Sequence, residues 1–102
     1  MTPDLPGKLQ TKMHALFTSN KKLLSVILYG PRTQPDAPPD SSIRLALGGP
    51  MGSRDIRQLR HQLSEMHTSI VFDILHLDHL EDMAQKKIIL EEGIEIYKRK
   101  GS

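Results

Sequence analysis

Apolar residues at Leu9, Met13, Leu16 and Phe17 recur three and four positions apart, the spacing of one helix face, and predict a first helix over roughly 8–18. Asn20-Lys21-Lys22 ends it. The period then changes: Leu24 to Tyr29 is a β-branched and aliphatic run of strand length. Ser42 to Leu47 alternates, with Ile43, Leu45 and Leu47 on one side and Ser42, Arg44 and Ala46 on the other. Helical spacing resumes at Ile56, Leu59, Leu63 and Met66, behind Ser53 as a predicted N-cap. Ser69 to Leu75 alternates again, setting Ile70, Phe72 and Ile74 against Val71, Asp73 and Leu75. Asp78, with Glu81 three residues on, reads as a capping box opening a last helix. That helix would carry Leu80, Met83, Ala84 and Ile88 inward and stop at Gly93. Ile94, Ile96 and Tyr97 return to the core before a basic tail over about 98–102. The order is αββαβα, an α+β fold with one small mixed sheet and packed helices.

The connections sharpen this picture. Residues 1–8 hold two prolines and a glycine and read as a loose arm. Residues 30–40 hold four prolines, which exclude regular structure there. At 102 residues the chain is one domain, and with no tryptophan its core is small, so burial against a partner would stabilise it. With no cysteine, disulfides and thiolate metal sites are excluded. No apolar run approaches the ~20 residues of a membrane span. No basic-then-apolar leader opens the chain. A cytoplasmic protein is expected. The formal charge of +2 permits contact with nucleic acid without demanding it.

The chemistry gathers around Leu28-Tyr29-Gly30-Pro31-Arg32 and Asp40-Ser41-Ser42-Ile43-Arg44-Leu45. An apolar strand runs into a glycine turn, a polar loop follows, and a second strand begins. Further on come Val71-Phe72-Asp73-Ile74 and Glu92-Gly93-Ile94-Glu95-Ile96-Tyr97. Over roughly residues 9–97 this arrangement resembles the minimal nucleotidyltransferases (MNT domains) of the DNA polymerase β superfamily. Laid along that pattern without gaps, Gly30 falls on the glycine of its Gly-Ser-Arg turn, Pro31 on the serine and Arg32 on the arginine. Pro35 falls on its second glycine. Ser42 and Arg44 fall on the first two metal-binding aspartates, and Asp73 on the third. The closing Glu-Gly-x-x-x-Tyr matches as it stands.

The resemblance implies the polymerase β-like fold, and three carboxylates that hold two magnesium ions against a nucleoside triphosphate. Here two of the three are replaced. Ser42 offers one neutral hydroxyl, and Arg44 has no lone pair and repels a cation. Asp73 is left as a weak metal remnant. Pro31 removes a backbone donor from the phosphate turn, and Pro35 stiffens the loop. These substitutions predict a domain without two-metal catalysis. Arg44 is then expected to neutralise Asp73 in a structural pair, or, with Gly30, Pro31 and Arg32, to hold a nucleotide or RNA phosphate without metal. Asp36 or Asp40 could supply a substitute acid, though a turn role suits both.

Other clusters read as structure. Gly52-Ser53-Arg54 repeats the Gly-Ser-Arg letters but follows the second strand, where capping explains it. His76-Leu77-Asp78-His79 has zinc-type residues without further ligands. Arg54, Arg57, Arg60 and His61 make a basic stripe on the middle helix, read as a solvated face. Met13, Met51, Met66 and Met83 read as core or interface filling.

The resulting expectation is a nucleotidyltransferase-fold protein acting through protein–protein contact, antitoxin-like or as a subunit of a two-protein system. The resemblance implies a small all-helical HEPN-type partner; homodimerisation would supply a similar surface. Neither cofactor nor nucleic acid is expected. Two readings stay open beside it. One is an active enzyme moving NMP from ATP or another NTP with Mg2+. The other is a metal-independent phosphate binder built on Arg44.

Overall fold

The computed structural model describes residues 7–33, 38, 42–66 and 70–99. Along them run α1 (Gly7–Ser19), β1 (Ser25–Tyr29), β2 (Ile43–Gly48), α2 (Ser53–Met66), β3 (Phe72–His76), α3 (Met83–Glu92) and β4 (Ile94–Lys98). Two 3-10 turns, Pro31–Thr33 and Leu77–His79, follow β1 and β3. Pro35, Asp36, Asp40, Ser41 and Ser69 lie outside the described residues, as do most of the expected arm and the end of the tail.

The strands form one mixed sheet in the order β3-β2-β1-β4. β1 pairs antiparallel with both β2 and β4, and β2 pairs parallel with β3. The alternation of β2 divides the molecule. Ile43, Leu45 and Leu47 join Val26 and Leu28 under Leu9, Met13 and Phe17 of α1 and Leu59 and Leu63 of α2. On the opposite face Ile27 and Ala46 meet Ile89 of α3 and Leu77. Helices therefore cover both faces, α1 and α2 on one and α3 on part of the other.

Several local expectations change. The order is αββαβαβ, because Ile94–Lys98 pairs with β1 as a fourth strand rather than only turning inward. Proline does not keep Pro31–Thr33 irregular: the Thr33 N–H and Oγ1 both donate to the Gly30 carbonyl, closing a 3-10 turn that a leading proline suits. Gly7 and Lys8 belong to α1 and not to an arm. Gly52, not Ser53, is the cap of α2: its carbonyl accepts from Ile56, and Asp55 Oδ2 takes the Gly52 N–H at 2.9 Å.

The last helix differs most. Asp82, not Asp78, is its N-cap, accepting from the amides of Ala84 and Gln85. Asp78 instead accepts from the Gly49 N–H at 3.2 Å. Only Ile89 of this helix is buried, and Met83, Ile88 and Leu90 are exposed. Gly93 does not stop it in a left-handed conformation; its φ is −73°. A Cβ there would crowd Ile27, the Ile89 carbonyl at 2.5 Å and the Leu28 carbonyl at 3.1 Å, so close approach of α3 to β1 explains the glycine.

Lys98 and Arg99 are not a free tail. Lys98 ends β4, and Arg99 donates to the carbonyls of Leu23, Thr18 and Asn20, satisfying acceptors that the end of α1 leaves over.

Candidate functional site

The register of the sheet assembles the site. Tyr29 of β1 stands opposite Arg44 of β2, and Arg44 stands opposite Asp73 of β3. Paired positions share a face, so the three side chains form a row across the sheet. The row lies on the face that α3 covers further along, at Ile27 and Ala46. Arg44 Nε is 3.7 Å from Asp73 Oδ2, with the two side chains 48% and 54% exposed. At that exposure the pair contributes at most ~1 kcal/mol. Ser42 precedes β2 by one residue, two positions from Arg44 as the alternation requires.

Gly30 turns the chain directly after Tyr29. Its φ of +79° is the left-handed region that favours glycine. A Cβ there would also lie 2.9 Å from Arg44 Cδ. The bare turn thus lets the arginine stem lie across it. Burial raises the Tyr29 phenol above its ordinary value of 10.0; Arg44 pulls it back and Asp73 pushes it further up.

Beside this row opens a cleft of about 590 Å3, floored by Tyr29, Gly30 and Arg44 and walled by Ile88, Glu91 and Glu92 of α3. Nothing in the local pattern marks Tyr29 or Glu91 as site residues, because the sheet register brings Tyr29, and α3 brings Glu91, to Arg44 only in the folded chain. Of the expected binding residues, Gly30 and Arg44 meet at this cleft. Arg32 does not line it and is buried at 5% exposure within the 3-10 turn, and Pro31 does not line it either.

A two-magnesium centre needs several carboxylates on one spot. At the three aligned positions only Asp73 is a carboxylate, and a guanidinium sits beside it. Among the described residues no three His, Asp or Glu side chains gather as a metal set. The donor chemistry of Ser42, Arg44 and Asp73 does not fit that centre.

His76 and His79 do come together, at the far ends of β2 and β3. His76 Nε2 lies 2.6 Å from the Gly49 carbonyl, an acceptor, so that nitrogen carries the proton. His76 Nδ1 faces His79 Nδ1 at 3.1 Å. Of the stripe on α2, His61 is spent on Glu65 one turn on. Among the described residues no helix is long and apolar enough to cross a membrane.

No family model matches the sequence, and no curated protein does. Solved structures do match. A chain of a toxin–antitoxin complex with AMP-PNP superposes with a TM-score of 0.69 at 15% identity, over 94% of this chain and 76% of that one. A chain of the complex between tri-AMPylated Shewanella oneidensis HEPN toxin and MNT antitoxin gives 0.68 at 14% identity, over 90% and 71%. A protein assigned as a nucleotidyltransferase from Sulfolobus solfataricus gives 0.50 at 14% identity, over 95% and 94%. The αββαβαβ chain, with its four-stranded mixed sheet, has the fold of an MNT-type nucleotidyltransferase domain.

Proposed function

We propose that this is a nucleotidyltransferase-fold protein that has lost metal-dependent nucleotidyl transfer and acts in the cytoplasm as an antitoxin-like partner of a small helical HEPN-type protein. The observation that carries the loss is the Arg44–Asp73 pair, a cation in register with the one remaining carboxylate. A metal ion entering there would have to displace or oppose the guanidinium at short range. Pro31 stands where the phosphate turn would use a backbone donor.

The surface beside the pair suits protein contact. Met83 and Leu90, seven positions apart, share one side of α3 and are 69% and 55% exposed. Ile88 is exposed at the cleft itself, near Glu91 and Glu92. A wall of mixed apolar and acidic character complements protein side chains better than a triphosphate, which the two carboxylates oppose. The matched toxin–antitoxin complexes point to the class of partner.

Two assays on one preparation test this. The chain is co-expressed with a HEPN-type protein from its own organism and sized, and pyrophosphate release from ATP with magnesium is followed. A stable complex without pyrophosphate, unchanged by Asp73→Ala, is the expected result. Pyrophosphate release abolished by Asp73→Ala would restore the enzyme. A homodimer that excludes the helical protein would overturn the partner assignment.

A further inference from the structure

A second cleft, also about 590 Å3, lies at the other end of the sheet from Arg44, lined by Ser53, Ile56, Arg57, Arg60, His76 and His79. His76 of its lining pairs with Leu47, three positions along β2 from Arg44, which puts it roughly 10 Å from Arg44 along the strand. The two clefts differ in charge. The Arg44 cleft sets one guanidinium against Glu91 and Glu92. The second sets two guanidinium groups and two imidazoles together, with no carboxylate among the described residues of its lining.

Nearby acids are occupied elsewhere. Asp55 holds the Gly52 N–H and Lys22, on the side of α2 away from this cleft. Glu65 takes His61. Asp78 accepts from the Gly49 N–H and lies 3.5 Å from His76 Nε2. Among the described residues neither Arg57 nor Arg60 has a carboxylate partner. Three positions apart, they project from one side of α2, each with a planar fork of donors that matches phosphate oxygens. His76 meets the Gly49 carbonyl through Nε2, while the exposed His79 ring, whose Nδ1 faces His76 Nδ1, lines the cleft.

We propose that this cleft binds a phosphate group, on a free phosphoester or a nucleic-acid backbone, through Arg57, Arg60 and His79. Concave shape, two arginines without a carboxylate partner among the described residues, and no carboxylate among the described lining together select an anion. The site is independent of the metal-ligand positions and of the partner proposed above.

The test titrates the full chain at low salt with inorganic phosphate, and separately with a short single-stranded RNA, following amide and arginine Nε resonances. Expected are shifts centred on Arg57, Arg60 and His79 with at least one ligand. Binding should weaken about tenfold or more in Arg57→Gln/Arg60→Gln, weaken in His79→Gln, and hold within about twofold in Arg44→Gln. Glutamine keeps these exposed positions helical, so the double variant should fold, and circular dichroism checks it. Response to RNA alone would assign the phosphate to a backbone; response to both would admit free phosphoesters. No response to either, or shifts that follow Arg44→Gln and survive the double variant, would overturn the site.

Discussion

The Cδ of Arg44 lies 2.9 Å from the position that a Cβ on Gly30 would take, closer than a side chain there would tolerate. The turn after β1 and the second residue of β2 are thereby coupled, although thirteen intervening residues separate them in the chain. The glycine that opens the phosphate turn in the resembled family here accommodates an arginine stem.

Gly30→Ala should destabilise the fold by about 1–2 kcal/mol, from positive φ and from the contact with Arg44. Urea unfolding in a double-mutant cycle separates the two causes. Arg44→Ala should recover the steric part and leave the backbone part, giving a non-additive cycle.

Tyr29 should give the molecule an alkaline limit. Its folded pKa lies above 10.0, so the unfolded chain loses this proton first. Stability is unaffected by this group below that value and falls as pH rises through the window up to the folded pKa. Tyr29→Phe should flatten this fall. Arg44→Ala removes the lowering charge and should widen the window, while Asp73→Ala should narrow it. Tyrosinate absorbance, with Tyr97 separated by difference against Tyr29→Phe, measures it.

Placing carboxylates at positions 42 and 44 should create a metal site. Ser42→Asp/Arg44→Asp places two acids on the strand face opposite Asp73. Magnesium affinity measured by calorimetry should rise about tenfold or more over the parent chain. An unchanged isotherm would show that the sheet does not hold these three positions in a geometry that binds the metal.

Gly93→Ala should cost about 2–3 kcal/mol, because the added methyl meets backbone carbonyls of α3 and β1 that cannot turn away. Thermal unfolding reads this directly. A loss below ~0.5 kcal/mol would mean that α3 can shift outward.

Arg99→Ala should lower stability by about 1–3 kcal/mol by taking its donors from the carbonyls of Leu23 and Thr18 and leaving that of Asn20 with only the Leu23 N–H. Hydrogen exchange should show the last turn of α1 opening first.

Much of the fold is legible in residue order because periodicity is local physics. The helical recurrence of Leu9, Met13 and Phe17, and the alternation of Ile43, Leu45 and Leu47, follow from which side chains must leave water, and all six are buried as expected. Alternation likewise sets Ser42 and Arg44 on one side of their strand, whereas only the family resemblance, not periodicity, led to Gly30 and Asp73 being expected beside them. What tertiary structure alone decided is everything that depends on pairing across distance. Ile94–Lys98 became a strand because the edge of β1 was open to it. Asp78 does not cap the helix as its spacing predicted, because α3 begins later, behind Asp82, and Asp78 takes the Gly49 amide. Arg99 found the end of α1, and Glu91 and Glu92 became a wall opposite Arg44. Hydrogen-bond donors and charges take whichever partner the packed chain brings within reach. Neighbours along the sequence constrain which groups those are, and the register of the sheet and the placement of α3 determine whom they meet.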